Sequence, residues 1–284
     1  MSKGISLHLG LNNVDPGHYQ GWDGPLNACE ADAAAMAKIA HSQGFSSTVL
    51  NTAHCARGAV RKRIESAAKE LTTGDIFLLT YSGHGGQLPD LNGDEDDGQD
   101  ETWCLYDGEL VDDELYRMWG RFAPGVRILM ISDSCHSGSV ARMNAATLRA
   151  TGALEALLGQ PGEPAPRSRS MPPEVARRTY EANRELYDPI LAEAKGDKDT
   201  RSKVKASVIL LSGCQDNQES LDGTFNGLFT SNLLRVWRNG KFAGNYRKFV
   251  QTIVKKMPNV QTPNYFVTGA ANAKFEAEKP FTIG

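Results

Sequence analysis

Two short segments of the chain carry residue types that could act together as a nucleophile and a base. His84 lies in the glycine-rich run 82–86, and Cys135 lies in the run 133–138. A free thiol with a pKa of about 8.5 is mostly protonated at neutral pH, and the thiolate is the reactive form. An imidazole can take the thiol proton and later donate one to a leaving amine. The pair therefore predicts covalent acyl transfer, with Cys135 as nucleophile and His84 as base.

The residues next to this pair suggest how charge on a substrate carbonyl would be stabilised. The glycines beside His84 allow a sharp turn and a close approach of backbone amides. We expect the N–H groups of Gly85 and Cys135 to form an oxyanion hole. His136 adjoins the cysteine, but neighbours in sequence seldom face each other with the geometry of base and nucleophile, which favours His84. No third member of the catalytic group is evident in the sequence.

Alternating strands and helices are predicted to hold these segments together. Both follow apolar runs, Ile76–Tyr81 and Val126–Ser132, that are typical of buried strands. Reacting groups collect at the carboxyl ends of strands in open parallel sheets. The pattern predicts one α/β domain over residues 1–284, with a mostly parallel sheet of about six strands covered by helices on both faces. The other predicted strands are Ile5–Leu11, Ser47–Leu50, Val208–Ser212 and Tyr265–Thr268, and the predicted helices are Ala28–Gln43, Val60–Leu71, Asp113–Arg121, Leu228–Asn239 and Tyr246–Lys256.

Composition excludes several other classes of protein. A net charge of −3 and 40 % hydrophobic residues suit a globular protein and give no electrostatic reason to expect nucleic acid or an anionic membrane as partner. No apolar run approaches the roughly 18 residues of a membrane span, and no secretory signal is evident, so we expect a cytoplasmic protein. Five widely spaced cysteines match neither a disulfide framework nor paired zinc ligands.

The segment from about 143 to 205 interrupts the pattern. Its apolar density is low, and residues 160–173 include five prolines together with Arg167 and Arg169. We expect an exposed, basic insertion with some helix around Val175–Ala194. It is either a solvated loop or a linker accessible to proteases.

Six ordered motifs resemble the metacaspases, in particular the bacterial type, within the caspase-like cysteine peptidase clan. They cover roughly residues 4–140 and 204–268, and caspase-type sequences place the histidine about 50 residues before the cysteine, as here. The resemblance implies a caspase-like fold, a monomer without an organic cofactor, and cleavage of proteins or peptides after Arg or Lys. The motifs are Tyr81–Gly85, Asp133–Gly138, Cys29–Ala33, Gly93–Glu101, Val111–Glu114 and Ser212–Gln218.

The resemblance also implies a pocket for the basic side chain of the substrate, lined by Cys29, Asp32, Ser82 and Asp133. A desolvated guanidinium or ammonium must be paired, and Asp32 and Asp133 supply the charge, with Ser82 and Cys29 at the rim. Two carboxylates side by side would favour arginine through bidentate pairing. Each aspartate also has a structural interpretation, Asp32 in the first turn of a helix and Asp133 as a cap of the turn after its strand.

Calcium is the one cofactor that the resemblance implies. Seven carboxylates lie among the twelve residues 90–101, and the ligands carried over from the family are Asp100, Asp112 and Asp113. A further family aspartate is replaced by Arg142, whose guanidinium would oppose a divalent cation. We therefore expect this chain to depend on calcium less than its relatives do, or not at all.

A protease specific for basic residues could also cut its own insertion, and we expect self-cleavage between about residues 142 and 205. The candidate cleavage sites are Arg167, Arg169, Arg177, Arg178, Lys195, Lys198, Arg201, Lys203 and Lys205.

Two other functions remain open at this point. One is a catalytically silent caspase-like scaffold that binds peptides. The other is a nucleotide-binding protein using 83–86 as a phosphate loop, although that run lacks the dinucleotide and Walker spacings.

Overall fold

A six-stranded sheet forms the centre of the computed structural model, which describes residues 2–89, 99–135, 167–196, 201–214, 220–223, 225–258 and 261–284. The strands are β1 Gly4–Gly10, β2 Ser46–Asn51, β3 Ile76–Ser82, β4 Gly85–Pro89, β5 Gln99–Leu105, β6 Gly108–Val111, β7 Arg127–Asp133, β8 Ser207–Ser212 and β9 Asn264–Gly269. The helices are α1 Cys29–Ser42, α2 Arg57–Glu70, α3 Asp112–Trp119, α4 Pro173–Ala182, α5 Arg184–Gly196, α6 Leu228–Trp237, α7 Tyr246–Val254 and α8 Ala273–Ala277.

The strand order of the central sheet is β2-β1-β3-β7-β8-β9. All neighbours are parallel except β9, which runs antiparallel to β8. The predicted α/β fold with a six-stranded, mostly parallel sheet is therefore confirmed. Strands β3 and β7 are adjacent, and Ser82 pairs with Asp133 at their carboxyl ends. The segments that carry His84 and Cys135 consequently leave the sheet side by side.

Two apolar cores cover the two faces of this sheet. Leu78 of β3 packs into one core with helices α1, α6 and α7, whereas its neighbour Phe77 packs into the other with α2 and α3. Successive side chains of a strand point to opposite faces, so a strand that is buried on both sides must be apolar throughout. This explains why β3 lacks an alternation of polar and apolar residues.

A second, antiparallel sheet of β4, β5 and β6 follows directly after His84. The sequence did not predict it, because β4 contains two glycines and Pro89, and β5 begins with polar residues. The sheet fixes the backbone of the candidate base. Cys104 of β5 donates its N–H to the carbonyl oxygen of His84 at 2.9 Å, and the hydroxyl of Tyr81 donates to the same oxygen at 2.6 Å.

The described part of the insertion, residues 167–196, packs against the rest of the protein. Tyr187 and Leu191 of α5 are wholly buried, and the Tyr187 hydroxyl accepts from the N–H of Glu109 at 2.9 Å. The prediction of helix in this region is confirmed, but the expectation of an exposed segment is wrong for these residues and for Arg169, which has no exposed surface. Apolar positions of α5 dock on Leu88 and Val111.

Among the helices that the structure describes, none is long and apolar enough to cross a membrane.

Candidate active site

The side chain of Arg169 fills an anionic pocket at the ends of β3 and β7. Its Nη2 lies 2.8 Å from Asp32 Oδ2 and 3.0 Å from Asp222 Oδ1, and its Nη1 lies 3.0 Å from Asp133 Oδ2. Nη1 also donates to Ser82 Oγ at 2.9 Å. Burial works to lower the pKa of Arg169, but the surrounding carboxylates raise it well above its ordinary value. One guanidinium thus compensates three carboxylates that are themselves buried.

The backbone of Arg169 is held as firmly as its side chain. Its carbonyl oxygen accepts from the N–H of Gly85 at 2.9 Å and from the N–H of Cys135 at 3.3 Å. Its own N–H donates to the carbonyl oxygen of Ser220 at 3.0 Å. The two amides predicted as an oxyanion hole therefore converge on one carbonyl oxygen, and that carbonyl belongs to the residue whose side chain fills the predicted specificity pocket.

His84 lies buried beside this carbonyl segment. Its Nε2 donates to the carbonyl oxygen of Gly24 at 3.0 Å, and its Nδ1 is buried without a hydrogen-bond partner among the described residues. Burial lowers the pKa of His84 to about 4, so the ring is neutral at pH 7. The Trp22 ring packs on it with centroids 4.7 Å apart. A neutral imidazole with its Nδ1 lone pair available has the state that a general base requires.

The Gly24 carbonyl is a partner of His84 that the sequence did not reveal. Gly24 has a φ of +51°, and a Cβ there would lie 2.8 Å from the Trp22 ring and 3.0 Å from His84 Cδ2. Both the left-handed backbone and the close approach call for glycine. The carbonyl fixes the tautomer of the imidazole, since it can only accept and Nε2 must carry the proton.

Cys135 is buried, and its sulfur contacts two residues that lie 79 and 85 positions later in the sequence. Its Sγ lies 3.2 Å from Cys214 Sγ and accepts from the N–H of Ser220. The structure describes all five cysteines and shows no disulfide among them. The Cys214 contact was not predicted, because Cys214 lies 79 positions away, two residues after β8.

Three of the four residues predicted to line the pocket contact Arg169, namely Asp32, Ser82 and Asp133. Asp32 also accepts from Ser82 Oγ at 2.7 Å, and burial raises its pKa to about 6 despite the nearby guanidinium. Cys29, the fourth, is fully buried at the start of α1 and interacts with Ser82 and Arg169. Its burial raises the pKa of the thiol above the usual range.

Sequence reasoning missed two further parts of the pocket, Asp222 and Gly227. Asp222 binds the guanidinium and also accepts from the N–H groups of Asn27 and Ala28, before α1. Gly227 donates its N–H to Asp32 at 3.0 Å, and a Cβ at Gly227 would lie 2.5 Å from Arg169 Nη2. Neither residue belongs to an apolar or glycine-rich pattern that would have marked it.

The predicted calcium ligands lie apart from this pocket. Asp100 is buried in β5, and Asp112 and Asp113 begin α3, where Asp112 accepts from the N–H of Asp113 at 2.8 Å. Within the described ranges no three His, Cys, Asp or Glu side chains are grouped so that they could hold a metal ion. Residues 90–98 and Arg142 lie outside those ranges. Calcium binding therefore stays a prediction.

Comparisons with known proteins show the family to which the chain belongs. The family model described as the caspase domain, Peptidase_C14, matches residues 14–273. The chain belongs to the caspase-domain family. The resemblance found in the motifs is thereby confirmed, and the catalytic candidates lie within the matched caspase domain.

Related proteins include fungal metacaspases and a bacterial structure. The chain is 32 % identical to Metacaspase-1A of Aspergillus fumigatus over 267 residues, covering 80 % of this chain and 58 % of that protein. It is 36 % identical to Metacaspase-1 of Coccidioides immitis over 194 residues, covering 58 % of this chain and 38 % of that one. The chain thus spans less than two thirds of these relatives. The crystal structure of protein GSU0716 from Geobacter sulfurreducens matches with a TM-score of 0.85 and 53 % identity over 99 % of both chains.

Proposed function

We propose that this caspase-domain protein is a cysteine endopeptidase that cleaves after arginine. The placement of Arg169 carries the proposal, because this residue is bound as the residue before a scissile bond would be. Its guanidinium lies among three carboxylates and its carbonyl oxygen lies between two amide donors. Buried charges are paired in proteins, so a pocket built around three carboxylates selects a cation.

The proposed reaction assigns one role to each of these groups. Cys135 loses its thiol proton to His84 Nδ1, and its sulfur forms a bond to the carbonyl carbon of the arginine. The N–H groups of Gly85 and Cys135 stabilise the negative oxygen, a contribution of about 10² to 10³ in rate for one such donor. His84 then protonates the leaving amine as the C–N bond breaks. Water, deprotonated by His84, attacks the thioester and releases the carboxylic acid and the thiol.

The pocket favours arginine over lysine. Nη2 contacts both Asp32 and Asp222, whereas Nη1 contacts Asp133 and Ser82. A planar guanidinium presents donors in a fixed fork that reaches carboxylates on several sides at once. A lysine ammonium is a compact point charge and leaves some of these acceptors without a donor. We expect lysine substrates to be cleaved, but more slowly.

Self-processing is the second part of the proposal, and its site is the Arg169–Ser170 bond. Of the basic residues in the insertion, Arg169 has its side chain in the carboxylate pocket and its carbonyl between the two amides. While the bond is intact, Arg169 excludes other substrates from the pocket. Cleavage frees it to leave, so that the same residue first blocks and then opens the enzyme.

A direct test uses fluorogenic peptide amides that end in Arg, Lys or Asp, with the wild type and the Cys135→Ala variant. The proposal predicts hydrolysis in the order Arg, then Lys, with the Asp amide inert and the variant inactive. Equal activity in the variant would show that another protein does the cleaving. Binding of the Arg peptide without turnover by the wild type would favour a peptide-binding scaffold and overturn the proposal.

A further inference from the structure

The residues that follow Arg169 are also held as an extended peptide. Met171 donates its N–H to the carbonyl oxygen of Gly85 at 2.8 Å, and Ser170 bridges to Gly85 in parallel orientation. Gly85 thus contacts the chain on both sides of the Arg169–Ser170 bond. If this bond is the scissile bond, Met171 is the second residue on the leaving side.

The side chain of Met171 lies in a pocket of its own and is only 2 % exposed. It belongs to a buried apolar cluster that is separate from the two main cores, with Val14, Tyr19 and Cys104 as members and Trp22 packed at the edge. Trp22 also packs on His84, so this pocket adjoins the candidate base.

Gly86 forms the floor of the pocket and gives it its depth. A Cβ at Gly86 would lie 2.6 Å from Met171 Cε, which is closer than real Cβ contacts come. The φ of this glycine is not in the left-handed region, so backbone conformation does not require it. The glycine is needed for space, and the space is filled by the end of a long side chain.

The polar edge of the pocket is uncharged at neutral pH. Glu109 has no exposed surface, accepts from Thr102 Oγ1 at 2.5 Å, and its Oε1 has no hydrogen-bond partner among the described residues. Burial raises the pKa of Glu109 to about 8, so the carboxyl group is protonated at pH 7. Its Oε2 would lie 2.7 Å from the same absent Cβ of Gly86. An acidic substrate side chain would be desolvated beside this carboxyl group, and a basic one would have to ionise a group whose pKa burial raises.

From these contacts we infer that the Met171 pocket is a specificity site for the second residue after the scissile bond, and that it takes a long apolar side chain such as methionine. The inference rests on the proposed peptidase function. It makes Gly86 a specificity-determining residue, although the sequence marks it only as part of a glycine run.

The enzyme's own Met171 competes with substrates for this pocket after self-cleavage. Helices α4 and α5 follow it closely, and Tyr187 and Leu191 anchor α5 without help from Arg169. The new terminus therefore stays tethered near the site at an effective concentration in the millimolar range. Replacing Met171 by a small residue removes the competitor and leaves the pocket for a substrate.

The test uses internally quenched peptides of the form Gly-Arg-Ser-X-Gly, with X as Met, Ala, Asp or Lys, and self-cleaved wild-type enzyme. Each kcat/KM is divided by that for an Arg amide without residues on the leaving side. We expect the ratio for Met to exceed the ratio for Ala about tenfold, because the longer side chain buries several more apolar atoms. It should exceed the ratios for Asp and Lys about a hundredfold, because these side chains would bring a charge into the buried pocket. The Met171→Ala enzyme should show a lower KM for the Met peptide.

A matched variant addresses the shape of the pocket. Gly86→Ala should remove most of the preference for Met over Ala, because the added methyl occupies the position of the Met side-chain end. If the wild type hydrolyses the Arg amide but cleaves all four peptides equally, the inference is wrong and the peptidase function stands. If the wild type hydrolyses none of the substrates, the proposed function itself fails. The peptide series needs no variant, so misfolding of a mutant cannot obscure the result.

Discussion

Removal of the Arg169 side chain should destabilise the uncleaved protein far more than removal of an exposed arginine from the same insertion. We consider Arg169→Ala in the Cys135→Ala background, which prevents self-cleavage. Asp32, Asp133 and Asp222 would then lose a guanidinium that lies 2.8 to 3.0 Å from each of them. Breaking a buried ion pair by removing one partner costs about 3–5 kcal/mol. Water that enters the emptied pocket reduces this cost, so we expect the free energy of unfolding to fall by about 3 kcal/mol.

The assay is thermal unfolding with and without added Nα-acetyl-arginine amide. A loss of about 3 kcal/mol corresponds to a fall in Tm of roughly 6–12 °C for a domain of this size. The ligand should restore part of the Tm of Arg169→Ala by filling the pocket, and it should leave the parent unchanged because Arg169 already fills it. Arg177→Ala is the control, since Arg177 forms an exposed ion pair with Glu181 and its removal should cost less than about 0.5 kcal/mol. Equal effects of the two variants, or no rescue by the ligand, would refute the reasoning.

Three further predictions concern the pocket, the base and calcium. Gly227→Ala places a Cβ 2.5 Å from the position of Arg169 Nη2, so kcat/KM for Arg amides should fall about 10- to 100-fold. The kcat/KM for Lys amides should fall less, and an unchanged ratio of the two values would contradict this prediction. Burial lowers the pKa of His84 from 6.5 to about 4, so the unfolded chain takes up this proton first, and His84 contributes a fall in the free energy of unfolding of on the order of 3 kcal/mol as the pH drops from about 6.5 to 4. The raised pKa of Asp32 acts in the opposite direction over nearly the same range, so the test compares urea unfolding of the Cys135→Ala protein with that of its His84→Gln variant at several pH values, and equal slopes would contradict the prediction. Calcium titrated from chelator to millimolar levels should change the peptidase rate little, and strong activation would contradict the effect expected of Arg142.

The sequence predicted the frame of the site well because local patterns encode it. Ile76–Tyr81 and Val126–Ser132 are apolar throughout, as β3 and β7 require when both faces of a sheet are covered. Adjacent parallel strands then bring His84 and Cys135 to one edge. The residues Asp32 and Ser82 were found through the family resemblance, and they meet at 2.7 Å.

The remainder of the site depends on contacts between distant segments, which no local pattern encodes. Asp222 follows β8 in a stretch without apolar periodicity, and Arg169 lies among prolines that suggested an exposed linker. Arg169 is buried only because carboxylates 36 to 137 positions away in the chain surround it. The partner of His84 is the backbone carbonyl of Gly24. Since every residue has a backbone carbonyl, the residue type does not reveal this role.

The position of the self-cleavage site shows whether Arg169 is bound as the residue before the scissile bond. Purified wild type, Cys135→Ala and Arg169→Gln proteins are incubated side by side and analysed by intact mass and N-terminal sequencing. We expect a new fragment that begins at Ser170 in the wild type and in neither variant. An intact Arg169–Ser170 bond in an enzyme that hydrolyses Arg amides, or the same cut in Cys135→Ala, would contradict it.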